Sequence, residues 1–343
     1  MPGRKNKHGF TIVELLAVIG AIAILLGVLL VGLQSASRMS QNVRSMSRLK
    51  QIHVAWTTYA NAYEDRLLPG YLDEEVQDLW RVRYRGADGE RLQNSDCTTY
   101  PLRLLPYLDF SLDPMYGYSS RLQVLENNFA NAESADHQAV LSELADTPAF
   151  GYNAYYVGGW WEARSRPDID ANYAHLIFGD TAAEIGNPPN TRTIKGRLVA
   201  TTMNKIPDPS SLMAFCSAVF RDPGAYVRDD DGNPSGAAWV TAPRLCTEQI
   251  WRSYLGDGRI GIDGGAVFNP MRLAGEGLEV LVPEAVPFRR NGLTVPLINC
   301  DGSTQQGTIE DLLKMNRWTP AAMESGRNST SFQHDCDVPG TDP

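Results

Sequence analysis

The chain has 343 residues, of which 43% are hydrophobic and 21% charged, and its formal net charge at pH 7 is −9. A chain this acidic argues against nucleic acid as a partner, because phosphate binding needs clustered lysine and arginine. The five cysteines are scattered and form no Cys-x-x-Cys pair, so a zinc site has little support. A location outside the cytoplasm would allow one or two disulfides, whose pairing the sequence leaves open.

A long apolar run follows a short basic leader. Residues 1–9 carry Arg4, Lys5 and Lys7 and no acid, and we interpret them as a targeting leader. Residues 10–33 contain one charge, Glu14, and as a helix they would span roughly 36 Å, enough to cross a ~30 Å hydrocarbon core. The sequence therefore predicts a transmembrane helix over 10–33. The alternatives are a cleaved secretory signal peptide and an uncleaved membrane anchor.

The charges around this run do not fix its orientation. Three basic residues precede it and four follow it before residue 51, so the positive-inside count is close to even. We place the large C-terminal part outside the cytoplasm, because a nine-residue leader cannot be a domain and long domains can translocate despite nearby charge. An acid one turn inside a membrane span is costly and normally marks function, which singles out Glu14.

Beyond the run, apolar residues continue at helical spacing. They recur every three or four positions, and no proline occurs between Gly3 and Pro69. The sequence predicts one helix from about residue 10 to residue 63, on the order of 80 Å long. Its second half, within residues 34–65, is predicted to pack against a folded domain through an apolar stripe. The stripe consists of Met39, Val43, Met46, Leu49, Ile52, Trp56, Tyr59 and Tyr63.

Residues 66–324 are predicted to form an α+β domain with large loop and helix insertions. Asp301-Gly302 predicts a hairpin turn within residues 292–309, and residues 325–343 are predicted to be a polar, mobile tail. A helix over residues 123–144, polar on most faces, is interpreted as a surface excursion. Shorter helices are predicted within 74–84, 100–108 and 310–315, and strands at 198–202, 212–217, 237–240, 278–282 and 293–299.

The segment from Phe150 to Trp161 is rich in aromatic residues and glycine. This composition predicts extended chain with tight turns. Such a cluster can pack in the core or stack on a sugar ring, and core packing is the favoured interpretation. The candidate ligand-stacking residues are Tyr155, Tyr156, Trp160 and Trp161.

A weak candidate metal site lies at Asp229, Asp231 and Asn233, where oxygen ligands alternate along the chain. Calcium prefers such ligands, but the EF-hand pattern requires glycine at its sixth position and glutamate at its twelfth, and both are missing here. A solvated turn is the favoured interpretation. No Gly-x-Ser-x-Gly nucleophile motif and no phosphate-binding Gly-rich loop occurs, so we expect a protein that is not an enzyme.

Residues Lys7 to Ile19, KHGFTIVELLAVI, resemble the type IV prepilin leader shared by pilins and by the pseudopilins of type II secretion. The resemblance implies a pilin-like fold, in which a long N-terminal α-helix packs on an antiparallel β-sheet. It also implies that a prepilin peptidase in the membrane cleaves between Gly9 and Phe10 and N-methylates Phe10. Glu14 then becomes the acid at the fifth position of the mature chain. Some pseudopilins hold calcium in a late loop, which adds support to the site at Asp229.

Further stretches resemble the prepilin-like family abundant in planctomycetes. They are residues 47–63, 104–108 and 150–153, together with Asp301-Gly302 near the C-terminal end. That family often has a histidine ten residues before Asp-Gly. Here the position is occupied by Asn291, so no role of that histidine is carried over.

The resemblance implies prepilin peptidase, other pilin or pseudopilin subunits and the inner membrane as partners, with the globular domain in the periplasm. The first hypothesis is a structural subunit of a type IV pilus or of a type II secretion pseudopilus. The alternative is a minor subunit whose large domain binds polysaccharide or a secreted substrate through its aromatic cluster.

Overall fold

The computed structural model describes the greater part of the chain, which divides into two compact units. The first unit is Met1–Arg44 and the second is Ser45–Pro343. The fold is α+β, as predicted, with a long N-terminal helix followed by mainly antiparallel sheets. The described residues are 12–116, 126–127, 137–166, 171–185, 192–220, 236–246, 248–249, 251–252, 267–268, 284–286, 294–324 and 332–334.

The described part of the first unit is helical. Its residues 12–44 belong to helix α1, Ile12–Ala62, and the apolar side chains described there are exposed, for example Ile12 at 78% and Leu33 at 64%. Among the described residues, no helix meets the length and hydropathy required to cross a membrane. The transmembrane half over residues 10–33 stays a prediction.

Helix α1 is one element of 51 residues, which confirms the single long helix predicted from the spacing. In the second unit it buries one face, formed by Leu49, Ile52, Trp56 and Tyr59, each at most 8% exposed. This face is shorter than the predicted stripe, since Tyr63 is 47% exposed at the far end. Near the other end, Met39 and Val43 belong to the first unit and are also exposed.

Short helices follow in the second unit. Helix α5 contradicts the predicted surface excursion over 123–144, because it begins at His137 and buries Val140, Leu141 and Leu144 on one face against α3. Residues 123–125 and 128–136 of that prediction lie outside the described residues. The helices are α2 (Glu74–Leu79), α3 (Tyr100–Leu104), α4 (Asp113–Tyr116), α5 (His137–Asp146), α6 (Ile309–Leu312) and α7 (Pro320–Glu324).

The strands include a four-stranded antiparallel sheet in the order β15-β14-β7-β2. Several two-residue strands pair outside it. In chain order the strands are β1 (Tyr71–Leu72), β2 (Phe150–Tyr152), β3 (Trp160–Arg166), β4 (Ala171–Leu176), β5 (Ala182–Ile185), β6 (Arg192–Lys195), β7 (Met213–Ser217), β8 (Val219–Phe220), β9 (Arg244–Leu245), β10 (Glu248–Gln249), β11 (Trp251–Arg252), β12 (Val267–Phe268), β13 (Glu284–Ala285), β14 (Thr294–Asn299) and β15 (Thr304–Thr308).

The predicted hairpin forms between β14 and β15. Ile298 pairs with Thr304, and Gly302 in the turn has φ of +84°, a conformation that glycine adopts without steric cost. The carboxylate of Asp301 accepts hydrogen bonds from the backbone N–H and the hydroxyl of Ser303, at 2.8 and 2.6 Å. The same strand pairs on its other side with β7, where Ile298 lies opposite Phe215.

A second sheet, in the order β1-β3-β4, contains a parallel pair that the sequence did not predict. Tyr71 of β1 lies opposite Trp160 of β3 in a parallel register, while β3 and β4 are antiparallel, with Glu162 opposite His175. A parallel pair needs a long crossover, and the chain between β1 and β3 supplies one that contains α2 to α5.

Two predicted strands are wrong. Around residues 198–202 and 237–240 the structure has isolated bridges instead, from Ala200 to Val157 and from Trp239 to Tyr152. Most apolar side chains of these stretches are buried, which accounts for their composition. Burial alone does not require continuous hydrogen-bonded pairing with a neighbouring strand. The strand predicted at 278–282 lies outside the described residues.

Candidate functional site

The predicted cleavage site lies at the N-terminal edge of the described chain. Gly9 and Phe10 are outside the described residues. Glu14 lies in the first turn of α1 and is exposed. A carboxylate is favourable there because the aligned peptide dipoles give a helix N-terminus a positive potential. Its neighbours Val13 and Leu15 are 75% and 58% exposed, so the acid lies on an otherwise apolar surface.

A chain of hydrogen bonds joins α1 to the four-stranded sheet in the second unit. The indole N–H of Trp56 donates to the hydroxyl of Tyr152 at 2.9 Å, and that hydroxyl donates to the carbonyl of Leu68 at 3.0 Å. Tyr152 also stacks on Phe215, with ring centroids 4.6 Å apart. Burial raises the pKa of Tyr152 well above its usual value, which keeps the hydroxyl protonated and able to donate.

His53 fastens the same helix to the hairpin turn. Its Nε2 lies 3.0 Å from the carbonyl oxygen of Cys300, and because a carbonyl only accepts, Nε2 carries the proton. Burial lowers the pKa of His53, against smaller opposing effects of this hydrogen bond and of Asp301. A Cβ at Gly302 would lie 3.0 Å from Cε1 of His53, so a side chain there would require His53 to shift, in addition to the strain of the positive φ.

Three of the four predicted ligand-stacking residues pack against other aromatic rings. Tyr155 and Tyr156 are 5% and 0% exposed. Trp160 lies between two tyrosine rings, stacked on Tyr71 at 4.1 Å and on Tyr155 at 4.8 Å. These contacts favour the interpretation of the cluster as core for these three residues, and ligand stacking stays a prediction.

Trp161 has a partly exposed side chain and a neighbour that the sequence did not single out. Its ring meets that of Trp80 at 4.9 Å in an edge-to-face geometry of 69°. Trp80 follows α2 and is 41% exposed, and Leu79 before it is 43% exposed. The sequence signal that could have revealed this surface is the tryptophan directly before the arginine-rich stretch Arg81 to Arg85.

The predicted calcium ligands Asp229, Asp231 and Asn233 lie outside the described residues. Within the described ranges, no group of three or more His, Cys, Asp or Glu side chains is arranged to hold a metal ion. Calcium binding at Asp229, Asp231 and Asn233 stays a prediction.

Part of the predicted polar tail, at the described residues 332–334, packs against the domain. Phe332 and His334 are 4% and 3% exposed. The hydroxyl of Tyr156 lies 3.0 Å from Nε2 of His334, and the backbone N–H of Cys246 also points to that nitrogen, at 3.4 Å. Because an N–H can only donate, Nε2 is the acceptor in both hydrogen bonds. The polar composition of residues 325–343 gave no indication that Phe332 and His334 are buried.

The described cysteines differ in oxidation state. Cys246 is disulfide-bonded, whereas Cys97, Cys216 and Cys300 are buried free thiols. Burial raises the pKa of the Cys97 thiol to about 12, so this thiol is neutral at physiological pH. The fifth cysteine, Cys336, lies outside the described residues.

The N-terminal segment matches a known family model over residues 4–30, described as the prokaryotic N-terminal methylation motif. This match covers Gly9, Phe10 and Glu14 and is the motif of prepilin-type processing. This motif implies processing by prepilin peptidase and a pilin-like subunit, and it points to a structural protein rather than an enzyme. Comparison with curated proteins and with solved structures gives no match for the chain.

Proposed function

We propose that this protein is a membrane-anchored structural subunit that assembles into a type IV pilus-like filament or a type II secretion pseudopilus. The observation that carries the proposal is the methylation motif at residues 4–30 leading into α1, a helix of 51 residues. The described apolar side chains of the first unit are exposed, which supports a role for this surface in contacts with lipid and then with other subunits.

Glu14 supplies a reason for ordered assembly. Cleavage after Gly9 creates a positively charged amine on Phe10, one helical turn from Glu14. Glu14 lies among exposed apolar side chains of α1, and a positive charge close to a carboxylate in an apolar layer stabilises its ionised form. A neighbouring subunit shifted along the filament axis brings its own Phe10 amine to Glu14, so that the packed, staggered state is favoured over the isolated one.

The domain after α1 is proposed to lie in the periplasm, with residues 10–33 in the inner membrane before assembly. Disulfides persist in oxidising compartments and are rare in the cytoplasm. The disulfide at Cys246 supports this location.

Filament formation tests the proposal. Cells that express the wild-type chain should yield filaments by electron microscopy that contain it, whereas Glu14→Ala should reduce their yield and leave processing intact. Glu74→Ala is the matched control, because Glu74 is an exposed glutamate in the first turn of a helix of the second unit. Normal filaments from Glu14→Ala would contradict the role of this acid, and absence of the wild-type chain from any filament would contradict the assembly proposal.

A second candidate function is that of a minor subunit with a binding role. The partly exposed pair of Trp80 and Trp161 favours it, and Trp161 belongs to the ligand-stacking set predicted from the sequence.

A further inference from the structure

Trp80 presents a large aromatic surface to solvent. It is 41% exposed, and its edge-to-face contact with Trp161 leaves at least one of its ring faces uncovered by that neighbour. Within the part of the chain that the structure describes, its indole N–H has no hydrogen-bond acceptor. The next residue, Arg81, has φ of +57°. This left-handed conformation ends α2, where the backbone N–H of Val82 donates to the carbonyl of Gln77 at 3.0 Å, and it directs the chain into the arginine-rich stretch.

A basic strip follows Trp80 in an otherwise acidic chain. Residues 80–91 contain four arginines and two acids, a net charge of 4 − 2 = +2, whereas the whole chain carries −9. Arg81, Arg83 and Arg85 are exposed and alternate with half-buried Val82 and Tyr84. The strip is defined as Trp80, Arg81, Arg83, Arg85 and Arg91.

Two of these arginines lie opposite each other. Arg85 and Arg91 form an antiparallel bridge, and like charges directly opposite across a bridge are destabilising. One guanidinium N–H of Arg85 donates to the carbonyl of Gly89 at 2.6 Å, which does not neutralise the charge. An anion bound between the two guanidinium groups would relieve this repulsion.

We propose that this strip binds an acidic polysaccharide, a polymer of sugars that carry carboxylates. The apolar face of a sugar ring packs on the exposed ring of Trp80, since aromatic rings offer a large surface with a polar edge. The guanidinium groups bind the sugar carboxylates in the two-pronged geometry that arginine favours. This site is independent of N-terminal processing and of filament assembly.

The acids within the surface favour a sugar polymer over nucleic acid. Asp78 pairs with Arg83 at 3.0 Å, and Asp88 and Glu90 are exposed in the turn between Arg85 and Arg91. These carboxylates repel the charge on each unit of either polymer, so charge alone does not distinguish the two. The same carboxylates accept hydrogen bonds from sugar hydroxyls, which a uronic acid polymer carries on each ring.

Binding of the full mature chain in detergent to three polymers tests the proposal. Polygalacturonate is the acidic probe, dextran the neutral one and oligothymidylate the nucleic acid. We expect polygalacturonate to bind, dextran to bind at least tenfold more weakly, and Trp80→Ala and Arg81→Gln each to weaken polygalacturonate binding at least tenfold. Arg192→Gln, which changes an exposed arginine on β6, should bind like wild type.

Four outcomes would overturn the proposal. They are no binding of polygalacturonate, equal binding of dextran, tighter binding of oligothymidylate, and binding that is unchanged in both Trp80→Ala and Arg81→Gln. Thermal unfolding of each variant establishes that it is folded, and Trp80→Phe provides a conservative variant that should retain part of the affinity if the ring packs on sugar.

Discussion

The indole N–H of Trp56 on α1 donates a hydrogen bond of 2.9 Å to the hydroxyl of Tyr152 on β2. Both side chains are fully buried, and the two residues are 96 positions apart in the chain. This contact joins the helix that carries the processing motif at its start to the central sheet of the domain. Together with the hydrogen bond from His53 to the carbonyl of Cys300, it holds this part of α1 on the domain.

Tyr152→Phe should destabilise the domain. The substitution leaves the indole N–H of Trp56 without its acceptor and the carbonyl of Leu68 without this donor, and burying an unsatisfied group costs about 1–3 kcal/mol. Urea unfolding followed by tryptophan fluorescence measures the loss. Tyr71→Phe is the control, because the Tyr71 hydroxyl makes no hydrogen bond to the described residues and its stacking on Trp160 is kept. An equal loss in both variants would contradict this role of the Tyr152 hydroxyl.

Gly302→Ala should destabilise the domain more than Gly89→Ala. Both glycines have a positive φ, of +84° and +83°, so an added side chain costs about 1–2 kcal/mol from the backbone alone at each position. A Cβ at Gly89 has nothing within 4 Å, whereas one at Gly302 would lie 3.0 Å from Cε1 of His53. Equal unfolding midpoints for the two variants would show that the contact with His53 is unimportant.

The free energy of unfolding should fall as the pH falls through the unfolded pKa of histidine, near 6.5. Burial lowers the pKa of His53 in the folded state, so below about pH 6.5 the unfolded chain binds a proton that the folded chain does not. The contribution of His53 is complete above that pH and is lost on acidification. His53→Gln keeps a side-chain N–H for the Cys300 carbonyl but does not titrate.

The comparison of these two chains gives the test. Between pH 7.5 and 5, the stability of His53→Gln should decline less than that of wild type. Parallel declines would assign the pH dependence to other groups. Asp96, which is buried, and Glu162, which is half-buried, cannot mimic the effect. Burial raises the pKa of each, and such groups favour the folded state more as the pH falls.

Gly9→Leu should block processing, because a large side chain at the cleaved bond fills the subsite where prepilin peptidase accepts glycine. The expected product is a chain that keeps its leader, detected by intact mass. Gly3→Leu changes a glycine of the leader outside the matched motif at residues 4–30 and should be processed normally. Normal processing of Gly9→Leu would show that cleavage occurs elsewhere.

Periodicity in the sequence predicted the local elements well. The three- and four-residue spacing of apolar residues predicted α1, and Asp301-Gly302 predicted the β14–β15 turn, because each depends on residues close in the chain. The spacing of apolar residues along the chain does not show which distant residues pack against them. The stack of Tyr71, Trp160 and Tyr155 joins β1 to a segment about ninety residues later in the chain. No pattern of neighbouring residues predicts this contact.

The site was predictable only in part for the same reason. Gly9, Phe10 and Glu14 lie within one short stretch of sequence, which a family model also matches. Trp80 and His334 acquire their roles from partners far along the chain, Trp161 and Tyr156. From the sequence alone, a tryptophan in a polar loop and a histidine in a polar tail are expected to be exposed to solvent. Their contacts with these partners appear only in the folded structure.

The most direct test of the central claim is the N-terminal mass of the protein isolated from the cells that make it. Prepilin-type processing predicts a mature chain that begins at Phe10 and carries a methyl group on its amine. A chain that begins at Met1, or at any residue other than Phe10, would contradict the assignment of this protein as a processed pilin-like subunit.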